Sequence, residues 1–104
     1  MSFASLEDGF KQSGVTTQYN STVGTSPISI PSSSGQPIIA VLVRCQAQTP
    51  VTKILSVSFD GGTTYFDLAV NESIYVEPKS LTQIKIKGNV SSVGYDVLMN
   101  LETN

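Results

Sequence analysis

From Val15 onward, large apolar residues recur at every second position, in short runs broken by Gly, Pro, Asn and Asp. A period of two sends successive side chains to opposite faces of a strand, so this pattern commits the chain to β-structure with one buried face. Val15 to Tyr19 is a Thr-rich strand candidate. Ile28 and Ile30 flank Ser29 between Pro27 and Pro31, a combination that suits a sheet edge. The run Ile38-Ile-Ala-Val-Leu-Val43 reads as a central strand covered on both faces, with Cys45 in line with Ile39, Val41 and Val43. Over Lys53 to Phe59, Leu55, Val57 and Phe59 are expected inward and Ser56 and Ser58 outward.

Asp60-Gly61-Gly62-Thr63 then forms a strong hairpin signal, because Gly tolerates the positive φ of tight turns. The return strand places Thr64, Phe66, Leu68 and Val70 on one face and Tyr65 and Asp67 on the other. A turn at Asn71-Glu72 leads to Ile74 and Val76, alternating with Tyr75 and Glu77 and stopped by Pro78. Ile84 and Ile86 alternate with Lys85 and Lys87. Tyr95, Val97, Met99 and Leu101 alternate with Asp96, Leu98, Asn100 and Glu102. About eight evenly spaced strands with frequent turns predict an all-β fold, a single antiparallel β-sandwich or jelly roll.

Residues 1–14 break the pattern and are set apart as an N-terminal arm preceding a β-sandwich domain at 15–104. Phe3, Leu6 and Phe10 fall at helical spacing, while Gly9 and Gly14 weaken any helix. Two readings stay open: a frayed terminus, or an arm whose three apolar residues are buried against a neighbouring subunit.

The composition excludes several classes of function. There is no His and one Cys, so imidazole-based triads and His- or Cys-built zinc sites are out of reach within one chain. No cofactor or metal is expected, and neither is an enzyme. Six scattered cations do not make the clustered basic face that nucleic acid requires. No apolar run has membrane-spanning length, and the N-terminus lacks the basic start and apolar stretch of a signal peptide, which points to synthesis in a cytoplasm. The missing charge is replaced by 15 Ser and 10 Thr, whose hydroxyls solvate outer faces without charge.

Five acids of the β region, Asp60, Asp67, Glu72, Glu77 and Asp96, read as turn or solvated strand residues rather than a catalytic pair or calcium ligands. Cys45 reads as a small buried hydrophobe. Tyr65 and Tyr75 are expected to point outward on strands that could be neighbours. That arrangement serves a subunit contact or, in a carbohydrate-binding module, a stacking platform.

The stretches Leu55-Ser-Val-Ser-Phe-Asp-Gly-Gly-Thr-Thr-Tyr-Phe66, Ser73-Ile-Tyr-Val-Glu77, Leu81-Thr-Gln-Ile-Lys-Ile-Lys-Gly88 and Tyr95-Asp-Val-Leu98 resemble small virion structural proteins of tailed bacteriophages, of the capsid-decorating (cement) or head-fibre kind. The resemblance spans residues 55 to 98 and none of residues 1 to 50. It implies a non-enzymatic protein on the virion surface that stabilises the head by bridging neighbouring subunits. The major capsid protein and further copies of this chain would be its partners, with room for weak contact with host-surface glycans. Phe3, Leu6 and Phe10 would then be anchors, with Tyr65 and Tyr75 as face contacts. A low-copy tail, head–tail or fibre-base component is the alternative within the same class.

Overall fold

In the computed structural model the alternating segments form eight strands among the described residues, 15–33, 35–78 and 80–102. They are β1 (Val15–Val23), β2 (Ile28–Ile30), β3 (Ile38–Cys45), β4 (Ile54–Ser58), β5 (Phe66–Ala69), β6 (Ser73–Val76), β7 (Ile84–Gly88) and β8 (Val93–Leu101). The expected arm, with Phe3, Leu6 and Phe10, lies outside the described residues.

The strands make two four-stranded antiparallel sheets, ordered β1-β8-β3-β6 and β2-β7-β4-β5. The pairs β1·β8, β2·β7, β3·β6 and β4·β5 fall alternately in one sheet and the other. That is the order produced when one long hairpin, its tip between β4 and β5, is rolled up, which is the jelly-roll winding. The Pro-bounded β2 is an edge strand, as its prolines require.

The core is the inner face of both sheets. Val41, Val43, Cys45, Val93, Val97 and Met99 from one sheet meet Leu55, Val57, Leu68, Ile84 and Ile86 from the other, all at most 6% exposed. Burial of this order is worth about 25 cal/mol per Å² of apolar surface and supplies the main driving force.

Several expectations need correction. β3 is not covered on both faces: Leu42 is half-buried and Arg44 exposed, because a two-layer sandwich gives each sheet only one inner side. A β-bulge between Ile38 and Ala40 resets the alternation, so Ile38 enters the core and Ile39 is only half-buried. Phe66 shares its strand face with Leu68 but stays 49% exposed at the sheet margin, where its ring sits 6.1 Å from that of Phe59. Asn100, expected outward, is fully buried opposite Ala40, itself fully buried.

Ser56 and Ser58 are also buried rather than outward. The loop from Phe59 to Tyr65 explains Ser58. Its hydroxyl donates to Asp60 Oδ1 at 2.7 Å and accepts the amides of Gly62 at 2.9 Å and Asp60 at 3.3 Å. Asp60 Oδ1 also receives the amides of Thr63 and Thr64 at 3.0 and 2.8 Å. Gly61 and Gly62 supply φ values of 78° and 96°, which L side chains adopt only under strain. The backbone bond from Thr64 and the hydroxyl of Ser58 hold the Asp60 carboxyl at a pKa of about 2. Ser56 in turn donates to Asp67 Oδ1 at 2.6 Å, across the β4–β5 ladder.

Two tests follow from this packing. A Cβ at Gly88 would sit 2.6 Å from Val93 Cγ2 and 3.1 Å from the Val23 carbonyl, so Gly88→Ala should destabilise the chain by about 1–3 kcal/mol in urea denaturation. An unchanged midpoint would show that this corner is loose. Because the folded pKa of Asp60 is depressed, its stabilising contribution is full above about pH 4 and lost as pH falls toward 2. An Asp60→Asn chain should therefore melt lower at neutral pH, and its deficit relative to wild type should shrink across that window. A deficit that stays constant with pH would mean that the carboxylate charge is irrelevant to the turn.

Candidate interaction surface

The outer face of the β1-β8-β3-β6 sheet is built from cross-strand rows whose membership follows from register. Gln18, Leu98, Leu42 and Tyr75 form one row, and Asn20, Asp96, Arg44 and Ser73 form the next. Each row takes one residue from every strand, so residues far apart in sequence stand side by side.

The second row is held by charge. Arg44 donates to Asp96 Oδ2 through Nη2 at 2.8 Å and Nε at 3.2 Å. Gln46 Nε2 donates to Asp96 Oδ1 and to the Tyr95 carbonyl, both at 2.9 Å. An exposed ion pair of this kind contributes about 0–1 kcal/mol, so its main effect is to orient the guanidinium rather than to stabilise the sheet. Gln48 continues the stitching. Its Nε2 donates to the carbonyls of Gln46 and Gly94, and its Oε1 accepts the Gly94 amide at 2.8 Å. Gly94 is suited to this seam because a Cβ there would run into the Gln46 amide.

Between the rows lies an open depression of about 800 Å³, lined by side chains that include Gln18, Asn20, Leu42, Arg44, Gln46 and Leu98. Its floor mixes two leucines with amides and one ion pair.

The sequence-derived candidates are not brought together here. Tyr75 lies on β6 at the end of the first row, its hydroxyl donating to Glu77 Oε2 at 2.6 Å. Tyr65 precedes β5 in the opposite sheet, with the Lys87 ammonium 4.2 Å from its ring centre. The two tyrosines are therefore not neighbours and share no stacking platform. The jelly-roll winding sends β5 and β6 to different sheets although they adjoin in sequence.

All five acids singled out above accept hydrogen bonds within the fold. Asp60 and Asp67 are described above, Glu72 Oε1 accepts the Ala69 amide at 2.8 Å, and Glu77 and Asp96 receive Tyr75, Arg44 and Gln46. Cys45 is fully buried, and that burial pushes its thiol pKa up. Gln46 and Gln48 escaped the sequence reading because an amide in a loop carries no periodicity.

No protein-family model matches this chain, and no curated protein matches it in sequence. Two solved structures resemble it. A subunit of Bacillus endospore appendages, a family of disulfide-linked pili, is 14% identical with a TM-score of 0.57, covering 86% of this chain and 87% of that one. A Yersinia pseudotuberculosis-derived mitogen is 12% identical with a TM-score of 0.46, covering 88% and 89%. At 14% identity the likeness to the appendage subunit is one of fold alone.

Proposed function

We propose that this chain is a non-enzymatic structural subunit, and specifically a decoration protein that bridges neighbouring shell subunits on the head of a tailed phage. The observation that carries the reading is how its reactive groups are used. Asp60 and Glu72 anchor turns, Asp67 and Asp96 make cross-strand contacts, Glu77 accepts the nearby Tyr75 hydroxyl, and the thiol is packed in the core. The remaining surface is rich in hydroxyls and amides and suited to being covered. The virion-like stretches supply the class of assembly, and they fall on β4 to β8 in order. The likeness in fold to a pilus subunit supports the general idea that such a sandwich serves assemblies.

A decoration protein acts mechanically, by burying surface across a junction. A standard interface covers about 1,600 Å², and repetition around a closed shell turns a weak contact into a large stabilisation. Phe3, Leu6 and Phe10 are the proposed anchors, with Tyr65 and Tyr75 as separate contacts on opposite sheets. Quantitative mass spectrometry of purified particles should find this chain at a simple fraction of the major shell protein. A handful of copies per particle would move it to the tail, head–tail or fibre apparatus. Absence from particles would overturn the virion reading.

The second reading is a filament subunit, favoured by the pilus likeness over 86% of the chain. Disulfide linkage of the pilus kind does not transfer to it. A covalent polymer needs at least two reactive thiols per subunit, and this chain has one, fully buried. Native protein should resist thiol-specific labelling and label fully only when unfolded, and it should run as a single chain on a non-reducing gel. Rapid native labelling or a ladder of cross-linked species would contradict the buried placement of Cys45.

A further inference from the structure

The four sheet edges of this sandwich are not alike. Among the described residues, β2, β5 and β6 are edge strands of three, four and four residues. Each is blunted in a recognised way: β2 lies between Pro27 and Pro31, β5 carries Asp67, and β6 runs into Glu77 and Pro78. The fourth edge, β1, has nine residues paired with β8 in unbroken register. Its sequence, Val-Thr-Thr-Gln-Tyr-Asn-Ser-Thr-Val, contains no charge, no Pro and no Gly. A long, regular, uncharged edge offers alternate backbone N–H and C=O groups to another strand, the arrangement that soluble monomers avoid.

β1 is also a chemical palindrome about Tyr19. Paired antiparallel with its own copy across a two-fold axis at that residue, it would set Val15 against Val23, Thr16 against Thr22, Thr17 against Ser21 and Gln18 against Asn20, with Tyr19 facing its equivalent. Every opposed pair is then like with like. Valine meets valine, hydroxyl meets hydroxyl and amide meets amide, combinations that favour cross-strand pairing, and no charges oppose. The pairing would also cover Val15, which is 55% exposed in the single chain.

We propose that β1 is a self-docking edge. Two copies of this chain join through antiparallel β1–β1 pairing about Tyr19, making one continuous eight-stranded sheet from two four-stranded ones. Nine opposed residue pairs supply roughly eight to ten backbone hydrogen bonds, since alternate antiparallel pairs exchange two each. The interface is isologous, so it closes at two copies and leaves the opposite edges and the second sheet free for other partners. This goes beyond the proposed role in an assembly and does not depend on which assembly is involved.

Sedimentation velocity of the full chain over a concentration series tests it. The expected result is a species of twice the 11.1 kDa chain mass. Gln18 and Asn20 are exposed and point away from the core, so charging them spares the fold. The Q18K/N20K double variant opposes two lysines on each side of the axis and should weaken the dimer by roughly tenfold or more. The Q18E/N20K variant opposes Glu to Lys in the same register and should restore dimerisation, with unchanged far-ultraviolet dichroism in both. A wild-type chain that sediments as a monomer at all concentrations would overturn the proposal, as would a trimer. So would a dimer indifferent to Q18K/N20K, or a Q18E/N20K variant as weak as the double lysine.

Discussion

The register of β8 is the constraint on which the rest of this molecule depends. β8 is flanked by β1 on one side and β3 on the other, and it contributes Val93, Tyr95, Val97 and Met99 to the core. Because side chains alternate with a period of two, a slip of one residue would turn those four outward and bring Asp96 and Leu98 in. The same register builds the outer rows, since Asp96 meets Arg44 and Asn20 only in this alignment. Core and surface are therefore two faces of one pairing decision.

Polar groups close the ends that strand pairing leaves open. Asp60 and Ser58 gather the amides of the β4–β5 loop, and Gln46 and Gln48 tie the end of β3 to the start of β8. Buried backbone groups without partners are costly, and short side chains with oxygen acceptors satisfy them locally. A chain with few charges can still order its loops because hydroxyls and amides share the capping with a few carboxylates. This accounts for the use of Ser and Gln within the structure as well as on its surface.

The same economy bears on association. A surface with little charge has little to repel a neighbour, and protection against unwanted pairing falls to strand length, proline and isolated acids. Three edges have that protection and one does not. An unprotected edge is a hazard in a monomer and an asset in a subunit. A β-sandwich is a frame in which edges and loops can be adapted without disturbing the core.

Most of the fold was legible in the residues themselves. The period of two placed seven strands and a continuous apolar run placed β3, the Asp-Gly-Gly turn marked the β4–β5 tip, and the prolines around β2 marked an edge, because these are local backbone preferences. Local rules failed where a distant segment set the environment. Ser58 is buried because a loop folds over it, Ile39 leaves the core because a bulge resets β3, and Asn100 is buried opposite Ala40. The interaction surface was not legible at all. Tyr65 and Tyr75, ten positions apart, end in different sheets, whereas Arg44 and Asp96, 52 positions apart, form an ion pair. Sequence alone determined which faces are apolar, since that is a property of each strand. Tertiary structure decided which residues share a surface, since that depends on how the hairpin rolls to bury those faces against each other.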